Sequence, residues 1–288
     1  MTPAGRFGTE SYRGRFAPSP SGPLHLGSLL TAFASYLDAR HMGGRWLLRI
    51  EDIDPPREEP GAADAIIRCL QAHALDNDSP LLYQHTRSGA YEQALDKLDA
   101  QGLLFNCSCT RRELGPGGSC AGRCGNDAAT ADTPTALRVR INNTFETHFT
   151  DLLQGDQTLS RADVARDFVV RRKDGLYAYQ LAVVVDEAYQ GITHVIRGID
   201  LLPTTFQQRY LQHVLDLPRP AYGHVPVVTG ADGRKLSKQN RAPAMEPDTP
   251  LANLKQVLRL LRQRVPTAGS LEECLAQAAR HWDREALR

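Results

Sequence analysis

The stretch Arg15 to Ser28, RFAPSPSGPLHLGS, admits few folds. Gly14, Pro18, Pro20, Gly22 and Pro23 punctuate a loop that no regular element tolerates, while Leu26, Leu29, Leu30, Phe33 and Leu37 recur at helical spacing. An extended segment therefore passes through a loop into a helix N-terminus. That end carries unpaired backbone N–H groups and partial positive charge, a natural seat for phosphate, and His25 sits there as an added donor. An ordinary Pro-rich turn has the same local composition, so the motif needs support from elsewhere in the chain.

Some support follows at once. Gly43 and Gly44 close the helix, and Arg45 to Ile50, RWLLRI, is a short apolar run suited to a buried parallel strand. Strand, loop, helix, strand is a nucleotide-binding pattern. The strand delivers Glu51, Asp52 and Asp54 to its carboxyl end, where ligands of open α/β sheets bind. Three carboxylates there can meet an ammonium group or Mg²⁺, or form a solvated acidic turn ahead of Pro55 and Pro56. Helices over roughly 61–74 and 87–101 are expected to cover the sheet.

A chain of 288 residues can bury a substantial core. Its 34 Lys and Arg against 33 Asp and Glu leave a net charge of +1, so a polyanionic partner must be met by local basic patches. No apolar run is long enough to span a bilayer, so no membrane partner is expected, and the polar N-terminus lacks the hydrophobic segment of a signal peptide. A cytoplasmic location is the expectation. Residues 1–13 read as a loose tail.

Cys107, Cys109, Cys120 and Cys124 put four thiols around the turn Gly115-Pro116-Gly117-Gly118. That spacing suits one tetrahedral Zn²⁺ with a closed coordination shell, hence a structural metal and not a catalytic one. Two disulfides compete with this reading, disfavoured by an unsignalled chain that holds two further isolated cysteines, Cys69 and Cys274.

From about 135 to 180 short strands are expected at Ala136–Ile141, Phe149–Leu153 and Phe168–Arg172, an inserted β-rich domain. Tyr177 to Val185 then runs apolar into Asp186 and Glu187, and Gly191 to Arg197 reads as another strand. A helix begins near Pro203. Residues 224–240 contain a strand, the turn Gly230-Ala231-Asp232-Gly233, and Lys235-Leu236-Ser237-Lys238. Two lysines on a mobile loop can close over a triphosphate and neutralise charge as pyrophosphate leaves; a merely solvated basic loop is the alternative.

Together these stretches resemble the class I aminoacyl-tRNA synthetases, specifically the glutamate subgroup. PLHLGS at 23–28 matches the HIGH signature and KLSKQ at 235–239 the KMSKS signature, while RFAPSPSGPLHLG and RWLLRIEDID look like the glutamyl and glutaminyl enzymes. The likeness covers roughly residues 14–240, and both motifs in the right order are far more specific than either alone. Ser28 replaces the last His of HIGH, Leu236 the Met of KMSKS and Gln239 its final Ser; both lysines are kept. The resemblance implies an α/β Rossmann-like catalytic domain in two halves, 14–105 and 181–240. These are split at 106–180 by a zinc-containing, acceptor-stem-like insert and followed by a helical segment at 241–288. Too little chain follows Gln239 for the family's usual anticodon-binding domain, which resembles a truncated paralogue that attaches glutamate to queuosine in the anticodon of tRNA(Asp).

The resemblance further implies two-step acyl transfer through a mixed anhydride. His25, Lys235 and Lys238 would stabilise charge on the transferring phosphate with Mg²⁺, and Pro18, His25, Gly27, Ser28 and Lys238 would hold ATP. Arg15, Phe16, Ala17, Pro18, Ser19, Glu51, Tyr179 and Arg197 would form the pocket for L-glutamate, with a carboxylate for the α-ammonium and an Arg fork for the side chain. The expected partners are ATP, glutamate and the queuosine-bearing anticodon stem-loop, bound by a monomer. A conventional glutamyl-tRNA synthetase acting on the tRNA 3′ end and a non-catalytic binding module are the competing readings.

Overall fold

The structure, a computed structural model, describes residues 12–115, 118–120, 124, 134–160, 164, 167–228, 243–245 and 247–288. The KLSKQ stretch, with Lys235 and Lys238, lies outside the described residues. So do residues 1–11 of the expected tail. The last two residues of that tail belong to the fold instead: Tyr12 is buried with its hydroxyl on Asp38, and Arg13 opens the first strand.

Strand β1 (Arg13–Phe16) runs through the proline-rich loop into helix α1 (Leu26–His41), which returns to β2 (Arg45–Ile50). His25 caps α1, its ring Nδ1 accepting from the Ser28 N–H at 3.2 Å, and Arg40 and His41 sit in the last turn, where a cation suits the helix dipole. Gly44 must be glycine, because a Cβ there would run into the carbonyl oxygen of Tyr12. β2 is buried from Trp46 to Ile50, as expected of a parallel strand covered on both faces. It pairs in parallel with β1, Arg13 opposite Arg45 and Phe16 opposite Leu48, and with β3 (Leu82–Tyr83).

Helices α2 (Ala62–Ala72) and α3 (Ser88–Ala100) occupy the expected positions. After them come β4 (Leu104–Cys107), β5 (Ala136–Arg140), the hairpin β6 (His148–Asp151) and β7 (Gly155–Thr158), and β8 (Asp167–Arg171). Strands β4, β5 and β8 form an antiparallel sheet. The apolar run from 177 to 185, to which the sequence pattern assigns no element, enters helix α4 (Tyr179–Gln190), buried on nearly every side, where period alone cannot separate a helix from a strand. Gly191 at φ 63° ends it.

β9 (His194–Gly198), α5 (Leu202–Val214) and β10 (Ala221–Val225) complete the α/β layer, with β9 and β10 parallel. The start of β9 meets the start of β1, where the Thr193 N–H donates to the Arg13 carbonyl at 3.0 Å. β1 is thus flanked by β2 on one side and β9 on the other, with α1 leading away to β2. A crevice opens at such a reversal in strand order, at the carboxyl ends of the strands. The main core packs α1, β1 and β2 against α6 (Pro250–Leu260) and α7 (Leu271–Arg280), and a second cluster joins α3, α4 and α5 to β5 and β8. Asp38 of α1 ties in the C-terminal segment, accepting from Trp282 Nε1 at 2.9 Å and Arg284 Nε at 2.7 Å. Among the described residues no helix is long and apolar enough to cross a membrane.

Candidate active site

The crevice is a cleft of about 1280 Å³. Arg15 and Phe16 reach it from the end of β1, Ala17, Pro18 and Ser19 from the loop beyond, and His25, Gly27 and Ser28 from the cap and first turn of α1. Glu51 enters from the end of β2, Tyr179 from the start of α4 and Arg197 from β9. All the expected pocket residues that the structure describes therefore line one cavity. The Glu51 N–H donates to the Pro18 carbonyl at 3.0 Å, which holds the two β-strand ends together.

The three carboxylates after β2 separate into different roles. Asp52 is taken up by His85, accepting from its backbone N–H at 3.0 Å and pairing with its ring. Asp54 pairs with Arg57 and, at 3.0 Å, with Arg172. Glu51 is buried, one oxygen accepting from Arg49 Nη2 at 3.2 Å. Burial raises its pKa, opposed by the charges of Arg49 and Arg15.

The two arginines expected in the amino-acid pocket have different surroundings. Arg15 donates through Nε and Nη2 to Glu187 Oε1, at 3.2 and 3.0 Å, so its charge is already matched. Arg49, fully buried beneath it, donates to Gln190 Oε1 at 2.9 Å and lies 4.0 Å from the same Glu187 oxygen. Arg197 is only 3% exposed, and among the described residues it meets no carboxylate directly. Its Nε donates to His224 Nε2 at 3.0 Å, Nη2 to Thr205 Oγ1 at 2.7 Å and to the Leu201 carbonyl at 3.4 Å, and Nη1 to the Tyr179 hydroxyl at 3.4 Å. A buried guanidinium with neutral neighbours is a site for an incoming anion.

Sequence reasoning missed Arg49, Glu187, His224 and Asp151. The Arg49 signal was available, since a charge inside an otherwise apolar strand must be paired. Glu187 was visible only as the end of an apolar run. His224 and Asp151 lie 73 residues apart and carry no local motif.

The four thiols form a second cluster, at one wall of the same cleft, which Cys109 lines. Sγ of Cys109 lies 3.7 Å from that of Cys120 and 3.5 Å from that of Cys124, which lies 3.8 Å from Cys107. A tetrahedron with vertices ~2.3 Å from its centre, the Zn–S length, has edges of about 3.8 Å, so the set fits a closed metal shell. No disulfide forms: all six cysteines are free. Asp167 of β8 braces the cluster, accepting from the Cys120 N–H at 3.0 Å and the Ser119 hydroxyl at 2.7 Å.

The profile of the tRNA synthetases class I (E and Q), catalytic domain, matches residues 11–117 and 123–276. The glutamyl-Q tRNA(Asp) synthetase of Pseudomonas fluorescens is 47% identical over 279 residues, covering 96% of this chain and 93% of its own. That of Dechloromonas aromatica is 47% identical over 288 residues, covering 96% and 95%. In structure, a glutamate tRNA ligase from Elizabethkingia meningosepticum in complex with its amino acid superposes with a TM-score of 0.79 at 23% identity. It covers 97% of this chain, which spans 66% of that ligase, and the likeness is one of fold.

Proposed function

Since the chain belongs to the class I tRNA synthetases for glutamate and glutamine, we propose that it activates L-glutamate with ATP and transfers it to queuosine in the anticodon of tRNA(Asp). The observation that carries the acceptor is the 47% identity, over nearly the whole length of both chains, to relatives named for that tRNA. Cleft chemistry supports the amino acid. Glu51, at one pole, suits the α-ammonium, and Arg197 with Tyr179 suits the side-chain carboxylate. Arg15, already matched by Glu187, shapes the pocket with Phe16, Ala17, Pro18 and Ser19.

In the first step an oxygen of the glutamate α-carboxylate attacks the α-phosphorus of ATP, and the bond to the bridging oxygen breaks to release pyrophosphate. The helix N-terminus at His25, with Pro18, Gly27 and Ser28, is suited to hold the phosphates in line. Lys235 and Lys238, assigned from the KLSKQ motif, would offset the charge that develops on the leaving group. Mg²⁺ bound with ATP supplies charge neutralisation. In the second step a queuosine hydroxyl attacks the activated carbonyl, an ester forms and AMP leaves.

The test uses labelled glutamate, ATP and tRNA(Asp) with or without queuosine, followed by nuclease fragmentation. The label should appear only with queuosine present, and on the anticodon fragment. Label on the 3′-terminal adenosine, or equal labelling of queuosine-free tRNA, would restore the conventional reaction.

The thiol cluster is proposed to hold one structural Zn²⁺ through Cys107, Cys109, Cys120 and Cys124, organising a β-rich insert between the two halves of the catalytic domain. Metal analysis is expected to find close to one zinc per chain. Cys109→Ser should lower that content and speed proteolysis near the cluster while ATP binding survives. Metal-free protein in which all four thiols react at once would remove the zinc from this reading.

A further inference from the structure

We propose that Asp151 and His224 are positioning residues that fix the orientation of the Arg197 guanidinium toward the substrate carboxylate. The inference rests on the reading of Arg197 given above. It starts from one hydrogen bond: Arg197 Nε–H donates to His224 Nε2 at 3.0 Å, which requires that nitrogen to carry a lone pair. The ring proton is then on Nδ1, where it donates to Asp151 Oδ2 at 2.5 Å. Both residues are completely buried. The other oxygen of Asp151, Oδ1, accepts three backbone N–H groups, from Leu153 at 3.0 Å, Gln154 at 2.9 Å and His224 at 3.1 Å. The carboxylate therefore cannot turn, and it presents an acceptor to His224 in a single direction.

The consequence reaches the cleft through the guanidinium. A guanidinium has five N–H groups in a rigid fork. His224, Thr205 and the Leu201 carbonyl occupy Nε and Nη2, leaving Nη1 with the Tyr179 hydroxyl, a residue that lines the cleft. A neutral ring is essential, since a doubly protonated His224 would set a donor and a second positive charge against Arg197. Burial, with the neighbouring arginine, keeps the His224 pKa low although Asp151 pulls the other way.

The same residues could instead be a staple between the β6–β7 hairpin and β10, because the Leu152 N–H also donates to the Tyr222 carbonyl at 2.7 Å and the Gln154 amide to the His224 carbonyl at 2.8 Å. Asp151→Asn separates the two roles. Its amide oxygen will take the three backbone donors, so its NH₂ faces His224 Nδ1 and drives the proton to Nε2, against Arg197. The expected result, in pyrophosphate exchange, is a glutamate KM raised roughly ten- to hundred-fold, by analogy with other losses of an orienting partner, while the ATP KM is unchanged. His224→Gln, which keeps an acceptor near Nε2, should keep a glutamate KM closer to wild type than His224→Leu.

Nitrogen NMR of the unaltered protein reads the ring directly, with protonated Nδ1 and unprotonated Nε2 expected. An Nε2-protonated ring, or glutamate and ATP KM values that rise together in Asp151→Asn, overturns the inference. If Arg197→Ala leaves the glutamate KM intact, the pocket reading beneath it falls. If Arg197→Ala raises that KM and Asp151→Asn does not, only the inference falls.

Discussion

Glu187→Gln is expected to lower the unfolding free energy by about 3 to 5 kcal/mol, although the substitution barely changes volume. Glu187 is 1% exposed at its side chain and Arg15 5%, so neither charge can turn to water when its partner is lost. One oxygen of Glu187 serves Arg15 and lies near Arg49, and its removal as an anion would leave Arg15 without its direct carboxylate partner and Arg49 with Glu51 and the more distant Asp186. Its other oxygen, Oε2, has no hydrogen-bond partner among the described residues, so the glutamine NH₂ meets no donor there and the change isolates charge. The comparison is Glu285→Gln, which breaks an ion pair with Arg288 whose side chains are 68% and 50% exposed and should cost below ~1 kcal/mol. Urea midpoints at constant slope measure both. A loss at Glu187 as small as that at Glu285 would mean that cleft water screens the buried cluster.

Glutamine is expected to be activated about a thousand-fold less efficiently than glutamate, or worse, in kcat/KM. Arg197 has only neutral partners among the described residues, so the proposed substrate carboxylate supplies its missing counter-charge. A side-chain amide offers one acceptor and no charge, and the penalty for leaving a buried ion unmatched is about 3 to 5 kcal/mol, with each 1.4 kcal/mol worth a factor of ten. The cost should appear whether or not ATP is saturating, because it belongs to the amino-acid pocket. Pyrophosphate exchange with each amino acid measures it, and comparable activation of the two would show that another group reads the side chain.

The sequence disclosed the parts of this fold that are local. Proline and glycine between an extended segment and a helical period located the loop before α1, the apolar RWLLRI run located β2, and four closely spaced cysteines located the thiol cluster. Helix α4 was obscured because Leu181 to Val184 are buried in succession, which erases the polar face that would have set a period. The electrostatic supports of the cleft were hidden for a different reason. Arg15 and Glu187 are separated by 172 residues, and Asp151 and His224 by 73, so each pair exists only once the chain has folded. Arg15 could be placed in the pocket from its motif, but nothing near it in the sequence indicates that its charge is already spent on a distant carboxylate.

The place of β1 between β2 and β9 also governs how the sheet is made. Its partner on one side, β2, follows after a single helix, whereas the Thr193 contacts on the other side come from a residue 180 positions away. Paired with β2 alone, β1 would present one row of backbone donors and acceptors, the kind of edge that recruits other chains. Arg13 and Arg15 put two positive charges into this four-residue strand, and charge on an exposed edge opposes pairing with a second copy. In the folded chain the Arg15 charge meets Glu187 and becomes part of the floor of the cleft.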